Sequence, residues 1–269
     1  MPGAVPAPMP GSRAARRTLY SDPMSPNRLL DQRPTLPELA RQALSSVQHG
    51  YDLLAPKFDH TAYRTPEKVL DATARALGGH GPFADGLDLC CGTGAGLRVL
   101  EEVCTGRAVG ADFSTGMLAE ARFAYATAPH PAPHWVRGDA HALPFRDGTF
   151  DLVASFGAFG HFLPAERPHL FGQVHRVLRA GGTFAFPMAA PPRPGTAAYW
   201  SLLGFDAAMR VRNTVWRPPF VMYYRTWPLG DVRRDLEAAG FDVALEPLAE
   251  LGRRDDGAPR CRLVLARKR

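Results

Sequence analysis

The chain has 269 residues, 45% of them hydrophobic, and a formal net charge of +6. That is enough for one substantial core, and no uninterrupted apolar run reaches the roughly 18 residues a helix needs to cross a membrane. The charge surplus is small for the length, and only Lys57, Lys68 and Lys268 among the 32 basic residues are lysines, which weakens any reading based on phosphate recognition. Four cysteines, at positions 90, 91, 104 and 261, lack CxxC spacing or paired histidines. Neither a metal site nor a disulfide framework follows, and a reduced cytoplasm is the expected compartment.

In chain order, residues 1–35 are proline-rich, as in PGAVPAPMPG, with no apolar core behind Arg16 and Arg17. They predict a disordered leader ahead of a single domain over 36–269. A helix is predicted from Leu36 to about Gln48, followed by the aromatic, acidic stretch YDLLAPKFDHTAYRTPEKVLDATARAL. LDLCCGTGAG, residues 87–96, then packs three glycines into five residues behind a short apolar run. This describes a strand entering a turn tight enough for a ligand to touch main chain, with LRVLEEV supplying the next helix N-terminus. RAVGADFS is an apolar strand ending in Asp112, one βαβ step further on. Its carboxylate can accept from both hydroxyls of a ribose, or it can share the capping of helix GMLAEARFAYA with Ser114 and Thr115. Strands are predicted at 86–90, 107–112, 134–138, 150–156, 182–188, 241–247 and 261–267, with helices such as 165–179 and 229–239 between them. The end of the chain, FDVALEPLA, a polar turn from Arg253 to Pro259 and CRLVLARK, reads as a hairpin.

Taken in order, LDLCCGTGAG, ADFSTGML, VRGDAHALPFRDGTFDLVASFGAFGHF and HRVLRAGGTFAF resemble the ordered motifs of the class I S-adenosylmethionine-dependent methyltransferases of the small-molecule type. The likeness runs from about Tyr51 to the C-terminus, and Cys90 stands where many members carry glycine. It implies an α/β fold: a Rossmann-like, seven-stranded, mostly parallel sheet with an antiparallel last strand, helices on both faces and an N-terminal helical lid. A dinucleotide fold of the NAD type competes for the same loop, but the spacing GxGxG rather than GxGxxG and the terminal hairpin oppose it. The cofactor implied is S-adenosylmethionine. By the resemblance, Tyr51 of the lid reaches the cofactor's carboxylate and Asp88 orders its amino group. Gly92, Thr93 and Gly94 pass under the methionine and ribose, and Asp112 holds the ribose hydroxyls. Phe113 and Met117 flank the adenine, Asp139 accepts from its exocyclic amine unless it only caps a turn, the Ala140 amide meets a ring nitrogen, and the Ser155 carbonyl faces the ammonium.

Methyl transfer is an in-line displacement at a sulfonium, so the protein mainly aligns the acceptor and excludes water. A hydroxyl acceptor must also lose its proton, for which an imidazole is suited. His161, just outside the fourth strand, is the candidate base, with a site-shaping role as the alternative and His60 as second choice. The connection from Ala189 to Pro228 far exceeds the usual two to six residues and reads as an inserted cap. Its Tyr199, Trp200, Trp216, Tyr223 and Tyr224, together with Arg210, Arg212, Arg217 and Arg225, predict a sizeable aromatic or apolar acceptor with room for an anionic group, or else a small core or dimer contact. SFGAFGHF lacks the motifs of base-methylating enzymes, so neither nucleic acid nor a membrane is expected as partner. The predicted activity is methylation of a small aromatic or polyketide-like metabolite, at oxygen ahead of nitrogen or carbon. RNA or protein methylation and a noncatalytic cofactor-binding protein are the alternatives, and a homodimer is left open.

Overall fold

Short runs rich in branched and aromatic residues, several of them separated by helices, line up as seven strands in one sheet. The computed structural model describes residues 47–61, 63–126, 132–193, 195–216 and 227–269. The leader and nearly all of the helix predicted over 36–48 therefore lie outside the described residues. The strands are β1 Gly86–Leu89, β2 Ala108–Asp112, β3 His134–Arg137, β4 Phe150–Ala154, β5 Leu178–Ala189, β6 Phe241–Pro247 and β7 Cys261–Lys268. The helices are α1 Val47–Leu54, α2 Glu67–Gly78, α3 Leu97–Val103, α4 Thr115–Ala124, α5 Arg167–Val177, α6 Ala197–Trp216 and α7 Leu229–Ala238. The sheet order is β3-β2-β1-β4-β5-β7-β6. Pairing is parallel from β3 across to β5, and β7 runs antiparallel to both β5 and β6. The predicted Rossmann-like architecture with its antiparallel last strand is thus observed.

Chain order reverses between β1 and β4, and in an open α/β sheet such a reversal leaves a crevice beyond the carboxyl ends of the strands. β1 is buried along its whole length, as a central parallel strand covered on both faces must be. Leu87 and Leu89 pack with Phe150, Phe171, Phe184 and Phe241 in one core cluster, while Leu70, Leu77, Leu97, Leu100 and Leu152 form the other. Each fully buried side chain of this size stabilises by about 1.5–3 kcal/mol relative to exposure.

β5 begins four residues earlier than predicted. Phe150 pairs with Leu178 but Leu152 with Thr183, so the RAGG segment bulges out between them, with Gly181 at φ 72. Gly181 and Gly182, at the predicted start of the strand, lie at a bulge inside the observed one. Trp227, assigned to the cap by its place in the sequence, belongs to the core: it is 4% exposed, stacks on Phe159 at 5.1 Å and lies 5.4 Å below the Arg167 guanidinium.

At the end of the sheet opposite the crevice, Asp151 accepts from the backbone N–H groups of Ala84 and Asp85. Asp85 in turn accepts from Arg107 and Arg179 at 2.7 and 2.6 Å. The Arg107 hydrogen bond leads in holding the Asp85 carboxyl down at about 2, burial opposing it. This network ties the amino ends of the central strands together and leaves their carboxyl ends to the site.

Candidate active site

The glycine loop leaves β1 through left-handed backbone at Cys90 (φ 57), Gly92 (φ 53) and Gly94 (φ 88). A Cβ on Gly94 would come within 2.8 Å of the Trp135 ring, and one on Gly96 would collide with both Phe156 and the Asp88 carboxylate. These two glycines therefore bring the loop down onto its own supports. Cys90 holds its left-handed conformation at the strain cost any side chain carries there, and burial pushes its thiol well above the usual range.

Above the loop lies a crevice of about 340 Å³. Its walls include Gly92, Asp112, Phe113, Met117, Asp139 and Ala140 on one side and Phe156, His161 and Phe162 on the other, with Tyr51, Phe58 and Tyr63 of the lid above. Asp112 accepts from the N–H groups of Gly92 and Ser114, both at 2.9 Å. Burial is the leading cause raising its carboxyl, and those backbone hydrogen bonds oppose the rise. The cap of α4 is Ser114, whose hydroxyl accepts from the Met117 N–H at 3.1 Å, so Asp112 stays turned to the crevice. Asp139 accepts from the N–H of His141 at 2.9 Å and so caps that turn while still lining the crevice.

Four of the predicted cofactor residues lie beneath this surface rather than on it. The Thr93 hydroxyl donates to Asp59 at 2.5 Å, Gly94 packs on Trp135 and Tyr125, and the Ser155 hydroxyl donates to the Leu89 carbonyl at 2.7 Å. Asp88 is 1% exposed, and neither carboxylate oxygen has a hydrogen-bond partner among the described residues. Burial, with the Asp112 charge second, drives its carboxyl far above the ordinary range. An orphaned buried carboxylate under a glycine loop suits a cationic group brought by a ligand.

The lid is fastened at three points. The Tyr51 hydroxyl lies 2.9 Å from Nε2 of His161, and its ring stands edge-on to both Phe113 and His161. Asp52 accepts from the Ser114 hydroxyl at 2.6 Å and the Gly116 N–H at 2.8 Å. Asp59 holds Thr93 as above. Sequence reasoning missed Asp52 and Asp59 as fasteners, although the Tyr-Asp and Phe-Asp pairs seven residues apart were the available signal. His161 sits on a single 3-10 turn, Phe159–His161, after β4, and burial depresses its pKa to about 4. It is a neutral imidazole at pH 7. His60, the second candidate base, is exposed and does not line the crevice.

A methyltransferase-domain family matches residues 87–186, the stretch from the glycine loop through β5. A demethylmenaquinone methyltransferase of Lactiplantibacillus plantarum is 30% identical over 173 residues, 60% of this chain and 70% of that protein. A ubiquinone/menaquinone biosynthesis C-methyltransferase of Roseobacter denitrificans is 35% identical over 176 residues, 64% of this chain and 67% of that protein. This chain belongs to the class I S-adenosylmethionine-dependent methyltransferases. A solved Pyrococcus horikoshii protein shares the fold, with a TM-score of 0.56 at 22% identity over 78% of this chain and 94% of that one. The match takes in 58% and 49% of the length of two further curated relatives, about half of each.

The cofactor of this methyltransferase is S-adenosylmethionine, and the residues present fit it. The unpaired Asp88 carboxylate suits the ammonium, the strand-end Asp112 can take the ribose, and the slot between Phe113, Met117 and Ala140 can take a purine. Among the described residues no cluster of three or more His, Cys, Asp or Glu is placed to hold a metal, and no helix is long and apolar enough to cross a membrane.

The cap corrects the acceptor assignment. Tyr199 and Trp200 lie on α6 and do not line the crevice: they meet each other edge-on at 5.3 Å, and Trp200 is 60% exposed. The physical reason is helical phase, which turns Trp200 to the same exposed side as Leu203, Val211 and Val215. The Trp216 side chain and all of Tyr223 and Tyr224 lie outside the described residues.

Proposed function

We propose that this methyltransferase methylates a small phenolic or hydroquinone-like aromatic compound, at the ring carbon beside a hydroxyl first and at the hydroxyl oxygen second. The observation that carries this reading is the His161 imidazole set among five aromatic rings of the crevice lining, Tyr51, Phe58, Tyr63, Phe156 and Phe162, with the Glu166 carboxylate on the same lining. Aromatic rings bind flat apolar acceptors, and an imidazole kept neutral at pH 7 has a ring nitrogen able to accept a phenolic proton, while the burial that lowers its pKa to about 4 also weakens it as a base. A phenolate is nucleophilic at both its oxygen and the adjacent carbon, so one base serves either outcome. Carbon is placed first because one relative is named a demethylmenaquinone methyltransferase and another a ubiquinone/menaquinone biosynthesis C-methyltransferase.

When bound, the cofactor supplies a methyl already activated on a sulfonium. The chain does the rest. Asp88 holds the cofactor's ammonium and Asp112 its ribose, the aromatic residues orient the acceptor ring, the lid excludes water, and His161 receives the proton.

The test is incubation with S-adenosylmethionine and chemically reduced naphthoquinone, with the product read by mass spectrometry after hydroxyl hydrogen exchange. A product gaining one CH₂ with both hydroxyls retained supports carbon transfer, and loss of one exchangeable hydroxyl supports oxygen transfer. Tight S-adenosylhomocysteine binding with no transfer to this or other phenols would turn the reading toward a noncatalytic cofactor-binding protein.

A further inference from the structure

We infer that Tyr51, anchored over the crevice by its neighbour Asp52, is itself a catalytic residue that relays the acceptor's proton to His161. The inference rests on the proposed phenolic acceptor and on His161 as its base. It departs from the role the family resemblance implied for Tyr51, which was contact with the cofactor's carboxylate.

The geometry is specific to the pair. The Tyr51 hydroxyl is 2.9 Å from Nε2 of His161 and 3.4 Å from Nδ1, so Nε2 is its hydrogen-bond partner. Both residues line the crevice. A neutral imidazole has one unprotonated ring nitrogen, and with the proton on Nδ1 the Tyr51 O–H donates to Nε2. That lone pair is then already engaged, and a substrate hydroxyl cannot reach it directly. It can reach the phenol oxygen, since a hydroxyl can accept as well as donate.

The ring is not free to drift from this place. Phe113 and His161 hold it edge-on at 5.9 and 5.7 Å. The next residue, Asp52, clasps the Ser114 hydroxyl and the Gly116 N–H at the start of α4. The wall that faces the purine slot and the group that contacts the base are thus joined through two consecutive lid residues. Closing the lid on the cofactor delivers the relay.

The proton count balances. As the acceptor's oxygen or its adjacent carbon bonds to the methyl, the hydroxyl proton passes to the Tyr51 oxygen while the Tyr51 proton passes to Nε2. Tyr51 ends as it began, His161 ends as imidazolium, and the C–S bonding pair stays on sulfur. His161 then loses one proton to water, the one proton that methylation releases; after attack by carbon, the methylated ring carbon also gives up its hydrogen as the ring oxygen regains one, which restores the hydroxyl.

The first arm of the test needs no acceptor. With ¹⁵N-labelled histidine, and with the His161 signals assigned by their loss in His161→Asn, the protein saturated with S-adenosylhomocysteine should show His161 as the Nδ1–H tautomer with Nε2 accepting. The Nε2 signal should move in Tyr51→Phe. An Nε2–H tautomer donating to Tyr51 would overturn the relay. In the second arm, with reduced naphthoquinone as acceptor, Tyr51→Phe and His161→Asn should each lower kcat about 100-fold, the usual scale for a positioned proton-transfer group. The double variant should be no worse than either single, because the two act as one unit, and S-adenosylhomocysteine affinity in Tyr51→Phe should stay within about two-fold. Full kcat in Tyr51→Phe alone, or a tenfold loss of affinity with kcat intact, overturns the relay and leaves His161 as base. Full kcat in His161→Asn overturns the base reading itself.

Discussion

Two pieces of the chain were read as covering the same crevice, and they are built oppositely. The lid stretch from Tyr51 to Asp59 is short and polar at its contacts. Within nine residues it places Tyr51 on His161, Asp52 on Ser114 and Gly116, and Asp59 on Thr93. The cap helix α6 is longer and richer in large side chains, yet Trp200, Leu203, Val211 and Val215 face outward at 47% exposure or more. Directional contacts from carboxylates and a phenol fix a roof to particular atoms of the floor. Apolar area without a partner surface fixes nothing, because its stabilisation depends only on what covers it.

The largest effect should come from the lid's partner in the crevice wall. His161→Ala is expected to cut turnover about 100-fold or more, with S-adenosylhomocysteine affinity nearly constant in calorimetry. A loss of only a few-fold would reduce His161 to a shaping role. Asp112→Ala should weaken cofactor binding by about 1.5–3 kcal/mol, the range for hydrogen bonds to a charged group, and unchanged affinity would remove its ribose role.

Asp52→Ala tests the clasp. It should cost about 1 kcal/mol in cofactor affinity and raise amide exchange across 47–61. Exchange that stays unchanged would make the lid independent of α4.

The pH dependence follows from the burial of His161. Its folded pKa, about 4, lies below the ordinary value of 6.5, so between these values the unfolded chain binds a proton that the folded protein excludes. Its contribution is complete above about pH 6.5 and falls away as pH drops toward 4, by at most about 1.4 kcal/mol per pH unit. Denaturant titrations of wild type and His161→Asn should converge in slope only above that window.

The smallest effect is expected in the cap. Trp200→Ala should change cofactor affinity and melting behaviour by less than about 0.5 kcal/mol, as for an exposed site away from special features. A large loss of turnover there would restore the cap as an acceptor wall and break the contrast.

Much of the fold was legible because it is written in local patterns. Apolar runs of strand length, the glycines after Asp88 and the hairpin ending at Lys268 fixed strand number and the antiparallel end before any contact was known. Gly92, Asp112, Phe113, Met117, Asp139, Ala140 and His161, all expected at the site, line the crevice because each lies at the end of one of β1 to β4 or in the segment that follows it, and strand ends converge in this topology. Asp52 and Asp59 were not expected as fasteners, since the repeated Tyr-Asp and Phe-Asp pairs mark two carboxylates without saying which of many donors each will meet. Tyr199 and Trp200 misled for a related reason: aromatic content reports capacity for burial, and helical phase decides its direction.

The sequence by itself therefore determined the sheet, the glycine loop and the class of cofactor, all set by backbone geometry and short-range periodicity. Only the tertiary structure decided that Tyr51 meets His161 across 110 residues, that Trp227 is core and that Trp200 is surface. Those outcomes depend on where separate elements dock, and docking is settled by packing among many residues at once rather than by any one segment's preference.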